Sequence, residues 1–117
     1  MGLRNSDISD LDGLLINCQY LIGLYIIGVE LYEADWNSLF KLLLKLSPAN
    51  LFKFKFTTFY LMRTIKWVSI KLFLDNWKGR HPMLLQTTSN IEYKTNEYIY
   101  KGTVKKHLYI ESEDFEW

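Results

Sequence analysis

Apolar residues recur along this chain in two alternating rhythms. One has the three-and-four spacing of a helix face and the other the two-residue spacing of a strand. Ile8, Leu11 and Leu15 fall on one helical face. Ser6 or Ser9 is expected as the cap, with Asp10 and Asp12 near the positive end of the helix dipole. A strand follows over Leu21 to Ile27. Glu33, Ala34 and Asp35 open a second helix with the stripe Trp36, Leu39, Phe40, Leu43 and Leu46. Leu42 and Leu44 widen that stripe, as on a helix held between neighbours. Ser47-Pro48 ends it, because the residue before a proline is pushed out of the helical region. From Leu51 to Phe56 the pattern alternates strictly, with Phe54 and Phe56 on one side and Lys53 and Lys55 on the other. A third helix is predicted from Lys66 to Gly79, with Ile70, Phe73, Leu74 and Trp77 inward. Met83 to Thr88 reads as a strand in which Leu84 and Leu85 compete for the inside. Residues 90 to 100 form a weakly periodic helix. A last strand, Val104 to Ile110, offers Leu108 and Ile110 to the core, with His107 on the open face.

The first two strands also repeat each other. Leu21 and Leu51 stand 30 positions apart, and so do Leu24 and Phe54. A repeat of this length, built on L-x-x-apolar-x-apolar, marks a stacked solenoid. Helix–strand alternation requires parallel strands. The fold class is therefore α/β. A small doubly wound sheet would show a continuously apolar central strand and a ligand loop at a switch point, and neither is visible. The expected architecture is a short open solenoid of about four helix–strand units over residues 1–110, followed by an acidic tail, 111–117.

Composition narrows the functional classes. The 117 residues suit one domain, and 49% apolar with 16% aromatic content suits a folded core. A net charge of +1 gives no general expectation of nucleic acid or membrane as partner. No secretory signal, membrane span or lipid anchor is legible. A single cysteine excludes an internal disulfide and suits a reducing compartment. The glycines are too scattered for a phosphate loop. Cys18, His81 and His107 are a formal nucleophilic set, but nothing in their spacing brings them together. Paired zinc ligands are absent. No catalytic residue, metal or cofactor is expected. Tyr25, Phe59, Tyr60, Tyr98 and Tyr109 are aromatics that either meet a partner or cover neighbouring repeats.

The stretch Cys18-Gln19-Tyr20-Leu21-Ile22-Gly23-Leu24-Tyr25-Ile26 resembles the cysteine-containing leucine-rich repeat of F-box proteins. The second copy has Pro48 in place of the cysteine and Phe54 and Phe56 in leucine positions. Leu15 to Leu21, Leu46 to Leu51, Phe73 to Pro82 and Gly102 to Lys106 are similar, in that order, to the C-terminal repeats of a fungal set of F-box/leucine-rich-repeat-like proteins. The resemblance implies the substrate-recognition arm of an SCF-type ubiquitin ligase, in the cytoplasm or nucleus. Residues 1–10 are too short for an F-box, so a Skp1-type adaptor is not expected to dock. The function expected is a non-enzymatic protein-binding repeat module. Tyr25, Ile27, Lys53, Lys55 and Thr57 are its expected surface contributors, by strand parity. The alternative is a truncated or degenerate solenoid cap with no function alone.

Overall fold

The computed structural model describes residues 2–3, 7–28, 31–58, 65–77, 79–87 and 92–109. Within them, helices and strands alternate: β1 (Gly2–Leu3), α1 (Ile8–Asn17), β2 (Gly23–Gly28), α2 (Glu33–Leu46), β3 (Lys53–Thr58), α3 (Trp67–Asp75), β4 (Met83–Thr87), α4 (Glu92–Tyr100) and β5 (Val104–Tyr109). All strands pair in parallel, in the order β1-β2-β3-β4-β5. The order never reverses, so the sheet has no switch point and the doubly wound alternative does not apply. Right-handed crossovers advancing in one direction leave every helix on the same face. In keeping with this, α2 lies against both α1 and α3. The α/β architecture is a short, open, solenoid-like stack.

The repeat is physical as well as textual. Leu24 pairs with Phe54 and Ile26 with Phe56, in register. The turns before the two strands also match. Leu21 N–H donates to Cys18 O at 3.2 Å and Leu51 N–H to Pro48 O at 3.0 Å. Each turn swings one buried or half-buried leucine under the sheet just ahead of the strand.

Six large rings fill the space between α2, β3 and α3. Phe73 stacks on Phe40, with centroids 5.0 Å apart, and meets Phe54 edge-on at 5.4 Å. Trp36 and Trp77 close the ends of the cluster, 6.0 Å from Phe56 and 5.3 Å from Phe54. Trp36 leaves no room at β2: a Cβ on Gly28 would lie 2.5 Å from its Cζ2.

Several boundaries differ from expectation. Asp7 occupies the N-cap position of α1 without a side-chain capping bond, Ser9 lies inside the helix, and Ser6 falls outside the described residues. At α2 the Asp35 carboxylate accepts the Tyr32 N–H at 2.9 Å. α3 stops at Asp75, short of Gly79. Trp77 must leave the helix for its ring to reach Phe54 and its Nε1–H to reach His81 O, at 2.9 Å. Gly79, at φ 76°, carries the turn that follows. α4 ends in a Schellman motif: Thr103 N–H donates to Tyr98 O at 2.9 Å and Gly102 N–H to Ile99 O at 3.1 Å. Gly102 takes the required positive φ, 82°. In β4 the competition is settled with Met83 and Leu85 buried and Leu84 half-exposed. The pair Gly2–Leu3 on the edge of β2 was not legible, because two residues carry no period. Residues 110–117, including Ile110 and the expected tail, lie outside the described residues.

Phe73→Ala is expected to cost about 3–5 kcal/mol of unfolding free energy, since it empties the centre of the ring cluster. Gly28→Ala is expected to cost about 1–3 kcal/mol through overlap with a fully buried Trp36. Urea unfolding of both variants measures these losses.

Candidate functional site

The strand parity that defines the core also defines the opposite, outer face of the sheet. Tyr25 pairs with Lys55, Ile27 with Thr57 and Gly23 with Lys53, so the five expected surface residues share one face. They do not share one exposure. Tyr25, Ile27 and Lys53 are half-buried, whereas Lys55 is 5% and Thr57 2% exposed. The Lys55 ammonium sits over the Tyr25 ring, 3.7 Å from its centroid. Gln86, opposite Lys55 on β4, is buried as well. The expectation of an open face at Lys55 and Thr57 is therefore corrected: beyond the first row, β3 and β4 present a buried polar layer here, while Tyr25 and Ile27 on β2 stay half-buried. Strand alternation places a lysine on the outer face but does not say what covers that face.

The accessible surface lies at the N-terminal rim of the sheet, where successive turns deliver the chain into the strands. Tyr20 is 90% and Ile22 52% exposed. Phe52 occupies in the second copy the position Ile22 holds in the first, and Phe52 N–H and Lys53 N–H both donate to Ile22 O at 3.1 Å. The exposed His81 imidazole stacks on Phe52 with centroids 4.1 Å apart. Tyr20, Ile22, Asn50, Phe52 and His81 line a groove of about 380 Å³. A second hollow of about 420 Å³ adjoins it through His81 and reaches Pro48, Trp77 and Arg80. The Arg80 guanidinium lies over the Trp77 ring at 4.7 Å and donates to Leu44 O near the C-terminal end of α2. That bond satisfies a terminal helix carbonyl and places positive charge at the negative end of the dipole.

Sequence reasoning missed this rim. The signal available was the position just after each repeat leucine, Ile22 and Phe52, apolar in both copies yet outside the inward pattern. Of the other expected aromatics, Tyr98 is buried and donates its hydroxyl to Asp75 Oδ1 at 2.5 Å, so it joins α4 to α3. Lys71, 2.6 Å from Asp75 Oδ2, and the Tyr98 hydroxyl hold the Asp75 carboxyl below the usual carboxylate range. Phe59 and Tyr60, and the Tyr109 side chain, fall outside the described residues.

Cys18, His81 and His107 are not brought together. Cys18 precedes β2 and His81 precedes β4, so a full strand separates them, about 10 Å at ordinary sheet spacing. His107 is not on the open face as expected. Val104 pairs with Met83 but Lys106 with Leu84, so Lys105 is an extra residue in β5. This β-bulge reverses the parity, setting His107 beside Leu85 on the inner face and pairing Leu108 with Gln86. His107 is buried and its Nε2 lies 3.0 Å from Thr87 Oγ1, while Nδ1 has no hydrogen-bond partner among the described residues. Burial pushes its pKa down to about 4. Among the described residues no group of three His, Cys, Asp or Glu side chains could hold a metal ion. No helix among them is long and apolar enough to cross a membrane.

Comparison with protein-family models, curated proteins and solved structures finds no match for this chain.

A histidine held neutral favours the folded state above its unfolded pKa of about 6.5, and that contribution is lost as pH falls toward 4. The loss is roughly 3 kcal/mol between pH 7 and pH 4, at about 1.4 kcal/mol per unit of pKa shift. His107→Leu removes this term, so the variant should lose less stability than the parent over that interval in parallel denaturation curves. Equal losses would show that His107 is not held neutral.

Proposed function

We propose that this chain is a non-enzymatic protein-binding repeat module that engages its partner through the N-terminal rim of the sheet. One observation carries the reading. The repeat places Ile22 and Phe52 side by side immediately ahead of adjacent strands, outside the core, next to a fully projecting Tyr20 and the Phe52–His81 stack. Monomeric surfaces seldom expose aromatic and aliphatic side chains in such a contiguous set without a binding role. Lys53, Tyr25 and Ile27 continue the surface onto the outer face, so three of the five residues expected from parity remain contributors. Lys55 and Thr57 act beneath it.

The narrower reading is the substrate-recognition arm of an SCF-type ubiquitin ligase acting in the cytoplasm or nucleus. Its support is the resemblance of the ordered stretches between Leu15 and Lys106. Ubiquitination of a rim-bound partner, lost in Phe52→Ala, tests it, since this chain alone is not expected to bind a Skp1-type adaptor. A second reading, the cap of a longer stack, is favoured by the end formed by α4 and edge strand β5, where Ile99 is 39% and Tyr100 94% exposed. A monodisperse monomer that unfolds cooperatively would remove it.

A photo-crosslinking residue at Tyr20 is expected to capture a protein that the same residue at Lys41, on the helical side, does not. Phe52→Ala should then weaken binding of that protein by about tenfold or more, as for a central aromatic anchor. Equal capture from both faces, or unchanged affinity, would overturn the placement.

A further inference from the structure

The near-zero net charge conceals an ordered separation of charge. Every helix runs in the same direction, so one end of the stack collects helix N-termini and the other collects helix C-termini and strand starts. Asp7, Asp10, Glu33 and Asp35 stand at the first end, with Lys66 and Lys94 as cations there. Lys45, Lys53, Arg80, Lys101, Lys105 and Lys106 stand at the second. The carboxylates of the second end are already used: Asp75 pairs with Lys71 at 2.6 Å and Glu97 with Lys101 at 2.8 Å. Lys45, Lys53, Lys105 and Lys106 have no carboxylate partner among the described residues.

One of these lysines, Lys53, adjoins the groove through Phe52, and Lys106 lies on the same row two strands further on. The first row of the outer face runs Gly23, Lys53, Leu84, Lys106 across four strands. Lys53 and Lys106 are thus two strands apart, about 10 Å. Lys53 leans over Phe52, its ammonium 5.9 Å from the ring centroid. Carboxylates two to three positions apart on an extended peptide span about 7–10 Å, which matches this separation. The groove beside Lys53 is bounded by Tyr20, Ile22, Phe52 and His81, and has room for one apolar side chain.

We propose that the N-terminal rim takes an extended acidic peptide segment, with carboxylates at Lys53 and Lys106 and one aromatic or aliphatic side chain in the groove. This names the partner class for the rim and rests on the protein-binding reading above. Unlike-charge complementarity fixes which segments can approach, while the groove, on the β2 side of Lys53, selects those with an apolar side chain beyond the acid that meets Lys53. Exposed aromatics beside lysines are also suited to single-stranded nucleic acid. The peptide is preferred because it is the class that the protein-binding reading of this rim names, and a single-stranded oligonucleotide is the competing outcome of the test.

The test is fluorescence anisotropy with three labelled probes. These are a heptapeptide with a phenylalanine two positions before the first of two glutamates spaced three apart, the same peptide with lysines for glutamates, and a single-stranded oligouridine. The acidic peptide is expected to bind most tightly, and more weakly as salt rises from about 50 to about 300 mM. Lys53→Glu/Lys106→Glu should weaken it by roughly tenfold or more and transfer preference to the lysine peptide. Lys106→Glu alone, at an exposed site, should give part of the same change if the double variant melts below the parent. Tighter oligouridine binding, unchanged affinity in the variants, or no binding of the acidic peptide overturns the proposal. If crosslinking at Tyr20 still captures a protein in that case, the module reading stands and only the acidic class fails.

Discussion

Everything in this fold leans on the contact between Phe73 of α3 and Phe40 of α2 above Phe54 and Phe56 of β3. These rings are fully buried, and together they tie two helices and the middle strand into one body. A stack of helix–strand units has little else to hold it, because each unit touches only its neighbours. Aromatic rings bury large areas and add the preference of edge-to-face and offset contacts, of roughly 0.5–1.5 kcal/mol per pair. The second repeat replaces the leucines of the first with phenylalanines at this central position, where both flanking helices can reach them. Trp36 extends the cluster toward β2 and makes Gly28 obligatory there; Trp77 extends it toward β4 and ends α3 in doing so.

The rim follows from the same constraint. Once Leu51, Phe54 and Phe56 are committed to the core, the residues between Leu51 and Phe54 must turn outward, and Phe52 and Lys53 become surface. Trp77 fixes the loop to His81 through its indole N–H, which brings the imidazole onto Phe52. Arg80 is positioned by the same ring and closes the end of α2. Core and candidate site are therefore two sides of one short stretch, and the surface is held by the part of the molecule that is hardest to deform.

Much of the fold was legible and less of the site. The three-and-four stripe of α2 survives without change, and Phe54 and Phe56 face the core as their alternation requires, although β3 runs Lys53–Thr58 rather than from Leu51 and is buried on both faces. β5 was misread by one residue: Lys105 is inserted opposite the gap between Met83 and Leu84. The mark was Leu108, one place late against the family resemblance, which puts the core position at His107; strand parity was followed instead. His107 consequently moved from the open face into the core, as a neutral side chain beside Thr87. The outer face was misread for another reason. Parity assigns Lys55 and Thr57 to a side, while burial depends on what crosses that side, and the strand's own sequence is silent about it.

By itself, the sequence determined the class of the molecule. Its apolar periods and 30-residue repeat specify parallel helix–strand units, since each period can bury its apolar residues in only one backbone geometry. The tertiary structure alone decided which polar residues are available. Burial, the reversal at the bulge and the meeting of Tyr20, Ile22, Phe52 and His81 are relations between residues far apart in sequence. They exist only when strands lie about 5 Å apart in a fixed register. The separation of charge between the two ends arises in the same way: the residues supply the charges, but only the common direction of the helices sorts them.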